Sequence, residues 1–90
     1  MKQFADLIWV DHHVGGEQAT LDFDNGYGVN VLRGGPWYTQ GGTYEVAVMH
    51  GGNLCYDTHI TNDVLGRLSE ADVNDTLSAI QELKPSTGDR

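Results

Sequence analysis

The amino-acid sequence predicts an α+β domain in which an antiparallel β-meander of about five strands is packed by a C-terminal α-helix. Three observations predict this fold: apolar residues alternate in several short runs, glycine-rich turns separate the runs, and an apolar stripe with helical spacing lies near the C-terminus. Asn25-Gly26 predicts a type I′ hairpin turn. Hairpin loops this short join antiparallel neighbours, so we expect the strands to pair in chain order.

The expected strands are short and bounded by the turn signals. In one of them, Ala19, Leu21 and Phe23 alternate with polar residues, which is typical of a strand with one buried face. The fourth is apolar on both faces and is therefore expected to lie centrally in the sheet. The five predicted strands span residues 4–11, 17–23, 27–32, 43–49 and 53–57.

The helix is predicted from residues spaced three and four apart, which share one helical face: Val73, Leu77 and Ile80. A sheet this small cannot bury its own face, so we expect this stripe to pack on it. Ser69 and Asp72 have the spacing of a capping box at the start of the helix.

The C-terminal region carries three further predictions. Pro85 is expected to stop the helix. A shorter helical turn is expected over residues 62–65, ending at Gly66. Residues 1–85 are predicted to form one domain, and residues 86–90 a flexible tail.

The chain is strongly acidic, since 13 acidic residues oppose 5 basic ones and give a formal net charge of −8. It lacks the lysine and arginine footprint needed to bind a nucleic-acid backbone directly, and an anionic membrane would repel it. The acidity indicates either solubility alone or a partner with a basic surface. A single cysteine excludes an internal disulfide, and no signal peptide or membrane span is predicted, so we expect a cytoplasmic protein.

Two groups of residues have the chemistry of metal ligands. Asp11-His12-His13 spells the motif of the DHH phosphoesterases, but the other ligands of that set are missing, and neighbouring strand residues point to opposite faces. A looser cluster contains residue types that bind zinc, although their spacing matches no zinc-binding motif. Alternatively, these residues form the polar side of a hairpin, with the cysteine as a small buried residue. The members of this cluster are His50, Cys55, Asp57 and His59. We predict no metal, no cofactor and no enzymatic activity.

The loop over residues 33–42 is glycine-rich and carries two adjacent aromatic residues, Trp37 and Tyr38. It lacks the lysine and the following helix of a phosphate-binding loop. The two rings are either anchors for a partner, as aromatic residues at interface centres are, or part of the core at the sheet edge.

Acidic residues cluster between positions 57 and 82, where Arg67 is the one basic residue. Glu70 and Asp72 fall in the first helical turn, where the helix dipole favours negative charge. The remaining acids have no such explanation, so they join Trp37 and Tyr38 as predicted partner-binding residues. They are Asp57, Asp63, Asp75 and Glu82.

Four runs carry a resemblance to a known group of proteins: DNGYGV (24–29), VLRG (31–34), YEVAV (44–48) and LCYDTHITNDVLG (54–66). Over residues 20–84 the chain resembles small uncharacterised proteins encoded by bacteriophages and prophages. Such a family carries no assigned activity or catalytic residues. The resemblance implies a protein that binds host machinery, of which the anti-CRISPR proteins are the best-known class.

Charge and resemblance together predict a non-enzymatic binding protein that blocks a basic surface of a host nucleic-acid-handling complex. The alternative is a phage structural or assembly accessory protein that oligomerises through a sheet edge. The sequence leaves both the partner and the oligomeric state open.

Overall fold

The computed structural model describes residues 1–13, 15–34, 43–55, 58, 60 and 65–84. Five strands follow one another as antiparallel neighbours, and a sixth pairs with the fourth. The strands are β1 (Val10–Asp11), β2 (Glu17–Asp22), β3 (Tyr27–Arg33), β4 (Tyr44–His50), β5 (Asn53–Leu54) and β6 (Leu65–Leu68), and the helix is α1 (Glu70–Gln81). The predicted α+β meander is confirmed.

Strand β4 lies at the centre of the pairing, as its apolar faces predicted. On one side it pairs with β3 along its whole length, from Tyr44 opposite Arg33 to His50 opposite Tyr27. Its other side is shared by β5, which pairs with the C-terminal end of β4, and β6, which pairs with the N-terminal end.

The helix covers one face of the sheet, and the core lies between them. Helix residues Val73, Leu77 and Ile80 are completely buried, and so are Val29 and Val31 of β3 and Val46 and Val48 of β4, to within 1% of their surface. Burial of this apolar surface is the main favourable contribution to folding. The strand residues buried in this core are Ala19, Phe23, Val29, Val31, Val46 and Val48, and Leu21 is half-buried against them.

The N-terminal run is not one long strand, contrary to the prediction for residues 4–11. Phe4–Asp6 form a 3₁₀ turn, and only Val10 and Asp11 join the sheet. The Gln3 backbone N–H donates to Asp6 Oδ2 at 2.7 Å, and the Phe4 N–H donates to Asn74 Oδ1 on the helix at 2.8 Å. These bonds hold the segment against α1 instead of along the edge of β2.

The hairpin at Asn25-Gly26 exists, but its turn is not type I′. That type needs a positive φ at both central residues, and here only Gly26 has one, at 89°. The Gly26 N–H donates to the Phe23 carbonyl at 3.2 Å, and the Phe23 N–H donates to the Tyr27 carbonyl at 2.8 Å. The loop therefore has three residues and ends in a left-handed glycine, the arrangement of a turn followed by a G1 bulge.

Strand β6 was not predicted from the sequence. The expected helical turn over residues 62–65 is wrong at its end, because Leu65 and Gly66 belong to β6; residues 62–64 lie outside the described part. A register shift interrupts the pairing of β6 with β4 next to Arg67, whose φ is 59°. The strand covers a stretch of the β4 edge that would otherwise expose unpaired N–H and C=O groups.

The capping box of α1 is confirmed. Ser69 Oγ accepts a hydrogen bond from the Asp72 N–H at 3.1 Å, and Asp72 Oδ2 accepts one from the Ser69 N–H at 3.2 Å. Pro85 and the predicted tail lie outside the described residues. No helix in the described part of the chain has the length and apolar character needed to cross a membrane.

Candidate functional site

The solvent-facing side of α1 carries four exposed carboxylates, here called the acidic helix face: Glu70, Asp72, Asp75 and Glu82. Asp75 and Glu82 lie opposite the apolar stripe that packs on the sheet, and Glu70 and Asp72 are exposed in the first turn. No lysine or arginine interrupts residues 70–82.

Two of these four acids stabilise the helix itself. Glu70 and Asp72 occupy its first turn, where negative charge interacts favourably with the helix dipole, and Asp72 also caps the N-terminus. The side-chain carboxylates of Asp75 and Glu82 make no hydrogen bond or ion pair with the described residues. Both are exposed, as the helical spacing from the buried stripe requires.

The other predicted partner-binding residues cannot be located. Trp37, Tyr38, Asp57 and Asp63 all lie outside the described residues. The roles of these four residues in partner binding therefore stay predictions.

The structure brings together no metal site among the residues it describes: no three histidine, cysteine, aspartate or glutamate side chains group closely enough to hold an ion. His50 is exposed at the end of β4 with its ring 5.0 Å from that of Tyr27, and Cys55 packs half-buried against the core. Asp57 and His59, the other members of the predicted cluster, lie outside the described part.

His12 and His13 do not point to opposite faces of a strand, as the sequence suggested. Their rings stack with centroids 4.5 Å apart, because β1 ends at Asp11 and a turn begins at His12. The Gly15 N–H closes this turn on the His12 carbonyl at 2.9 Å.

An aromatic cluster around Arg33 was missed by the sequence reasoning. The Arg33 guanidinium lies 3.9 Å from the centre of the Trp9 ring and pairs with the Glu17 carboxylate at 2.8 Å. Phe4 and Tyr44 complete the cluster, with ring centroids 5.3 Å apart. Cross-strand pairing of Glu17 with Arg33 is the one signal that could have revealed it, once the strand register was known.

The face of the sheet opposite α1 was also overlooked. Its side chains come from alternate positions of the strands, and a hollow of about 200 Å³, here called the sheet hollow, lies among them. Its described lining combines polar and apolar groups: His12, Gln18, Asn30, Leu32, Glu45, Ala47 and Leu54. Because residues of one face are two apart in sequence, they form no contiguous motif.

Comparison of the chain with protein-family models, with curated proteins and with solved structures finds no match. The resemblance to small phage and prophage proteins therefore stays a prediction. The acidic helix face and the sheet hollow are the surfaces that bear on function.

Proposed function

We propose that this chain is a non-enzymatic, phage-derived binding protein that blocks a basic surface of a host nucleic-acid-handling complex, in the manner of an anti-CRISPR protein. The acidic helix face is the observation that carries the proposal. Asp75 and Glu82 stand exposed on a rigid, sheet-backed helix, with no partner among the described residues to neutralise them.

The electrostatics of the whole chain support the same partner class. A net charge of −8 on 90 residues repels nucleic acid and attracts basic protein surfaces. Exposed charges on a complementary surface accelerate association with the partner and disfavour wrong partners. The partner would be met in the cytoplasm of the bacterial host.

The test uses tagged protein to capture a host complex and then asks whether the chain competes with nucleic acid for it. We expect wild-type protein to displace bound nucleic acid, and the Asp75→Lys/Glu82→Lys variant to displace it poorly. The matched control is Asp11→Lys/Asp22→Lys, which changes the net charge equally at two exposed positions on strands β1 and β2 of the sheet.

Equal loss in both variants would mean that overall charge, and not the acidic helix face, governs binding. If both variants displace nucleic acid as well as the wild-type protein does, the proposal is contradicted.

One observation favours the alternative of an assembly protein that oligomerises through a sheet edge. Ile8 and Val10 are 77% and 54% exposed, and β1 forms the first edge of the sheet. Apolar side chains beside a free strand edge are a route to pairing between chains. A concentration-dependent dimer by light scattering that Val10→Lys dissolves would support this alternative.

A further inference from the structure

The sheet hollow lies on the face opposite the helix and is built by the meander as a whole. Each of β2 to β5 contributes at least one side chain, and His12 follows β1 directly. At about 200 Å³ it is smaller than the pockets of roughly 300–1,000 Å³ that hold drug-sized ligands. The hollow is large enough to hold one amino-acid side chain.

One residue that lines the hollow, Asn30, carries an unpaired hydrogen-bond acceptor. Asn30 lies between Thr20 and Ala47 in the sheet, and its Oδ1 atom is buried without a hydrogen-bond partner. Among the described residues it is the one buried side-chain oxygen or nitrogen in that condition. Buried polar atoms in folded proteins are nearly always paired, so this oxygen calls for a donor from outside the described residues.

A carboxylate lies on the same face of the sheet as Asn30 and lines the same hollow. Glu45 pairs with Leu32 across the strands and is therefore a diagonal neighbour of Asn30, at a spacing of about 7–8 Å. Glu45 is half-buried and forms no salt bridge with the described residues. The polar lining thus offers negative charge together with an acceptor.

We propose that the sheet hollow binds the side chain of a lysine presented by a partner protein. An ammonium group has three donors and no acceptor, which suits Glu45 and Asn30 Oδ1. The methylene stem of lysine packs on apolar surface while its charge finds polar partners, and here Leu32, Ala47 and Leu54 supply that surface. The inference goes beyond the proposed function, since this face lies across the sheet from the acidic helix face.

The probe for the test is Nα-acetyl-lysine N-methylamide, titrated into isotopically labelled protein and followed by NMR. We expect saturable shifts of the Asn30 side-chain amide and of the Glu45 and Ala47 backbone amides. The norleucine analogue, which has a stem of similar length without the ammonium, should leave these signals in place. Equal shifts from both compounds, or none from the lysine probe, would overturn the proposal.

Two variants separate binding from folding. Asn30→Val should weaken the lysine probe by about tenfold or more, as loss of a hydrogen bond to a charged group does. Its resistance to urea should equal or exceed that of wild type, because a buried unpaired oxygen is removed. Thr20→Val is the matched control on the opposing strand position, and we expect it to bind the probe like wild type.

Undiminished binding by Asn30→Val would contradict the assignment, and so would a loss of binding that Thr20→Val shares. The Asp75→Lys/Glu82→Lys variant should still bind the lysine probe. The proposals for the sheet hollow and for the acidic helix face can therefore be refuted independently of each other.

Discussion

The side-chain amide of Asn25 donates a hydrogen bond to the backbone carbonyl of Ile80 at 2.8 Å, joining the β2–β3 hairpin to the end of α1. The same nitrogen donates to the Leu83 carbonyl at 3.1 Å, and Asn25 Oδ1 accepts from the Tyr27 N–H at 3.0 Å. The Ile80 carbonyl also accepts from the Leu83 N–H at 3.1 Å, so the Asn25 amide is its second donor. The Leu83 carbonyl lies just past the helix, where backbone carbonyls lack helical partners, and Asn25 supplies a donor to it. One buried turn residue thus fixes the hairpin and the helix relative to each other.

Replacement of Asn25 by alanine should destabilise the fold by about 2–3 kcal/mol, because it removes three hydrogen bonds of a buried side chain, each contributing about 0.5–1.5 kcal/mol. The neighbouring exposed residue provides the control, and Asp24→Ala should cost less than about 0.5 kcal/mol. Urea unfolding of both variants measures the difference. Equal stability of the two would show that the hydrogen bonds of Asn25 to the helix contribute nothing measurable.

Truncation of Leu77 to alanine should cost about 2–5 kcal/mol, as it does for other fully buried leucines. Asp75→Ala, on the exposed side of the same helix, is expected to change stability little. Chemical denaturation followed by circular dichroism provides the measurement. A loss under about half a kcal/mol for Leu77→Ala would mean that the helix does not dock on the sheet as described.

Two glycines in strands offer a matched pair. A Cβ atom at Gly28 would lie 2.7 Å from the Leu21 carbonyl oxygen, whereas one at Gly66 would meet no atom within 4 Å. Gly28→Ala should therefore destabilise the protein by about 1–3 kcal/mol, the range found for overpacked sites. Gly66→Ala should be neutral or slightly stabilising, since alanine restricts the unfolded chain. Thermal unfolding of the two variants measures both effects. An unchanged melting temperature for Gly28→Ala, or a lowered one for Gly66→Ala, would contradict the prediction.

Protein purified without chelator should contain no stoichiometric zinc, and chelator should leave its melting temperature unchanged. The reason is that His50, Cys55, Asp57 and His59 match no zinc-binding spacing. Metal analysis by mass spectrometry decides the point. One zinc per chain that is lost in His59→Ala would contradict it.

Reversal of Asp63, Asp75 and Glu82 to lysine takes the formal net charge from −8 to −2, since each reversal adds two charges. Affinity for the captured host complex should fall about tenfold or more at low salt, and the deficit should shrink as salt screens the attraction. Binding kinetics at several salt concentrations measure both effects. If the triple variant binds as tightly as wild type, the acidity serves only solubility.

Trp37→Ala and Tyr38→Ala provide the contrast to that charge reversal. If the two rings are packed anchors, their loss should appear mainly in the dissociation rate and depend little on salt. Unchanged dissociation from the partner would place the rings outside the interface.

The sequence by itself determined the elements whose signals are local. The alternation over Ala19, Leu21 and Phe23, the two-sided apolar character of β4, and the Ser69–Asp72 capping box each act within a few residues, so their structures could be predicted. The exposed positions of Asp75 and Glu82 followed in the same way from the helical period. Once the apolar stripe is buried, the opposite side has to face solvent.

Tertiary structure decided whatever depends on residues far apart in sequence. The Phe4–Asp6 turn depends on Asn74, the hairpin turn is tied to Ile80 through Asn25, and β6 forms because β4 offers a free edge. The sheet hollow likewise exists only once the strands are in register. Asn30 and Glu45 are 15 positions apart in the chain and become neighbours through cross-strand pairing alone. Local patterns specify which residues are buried, but only the packed chain determines which buried polar groups meet.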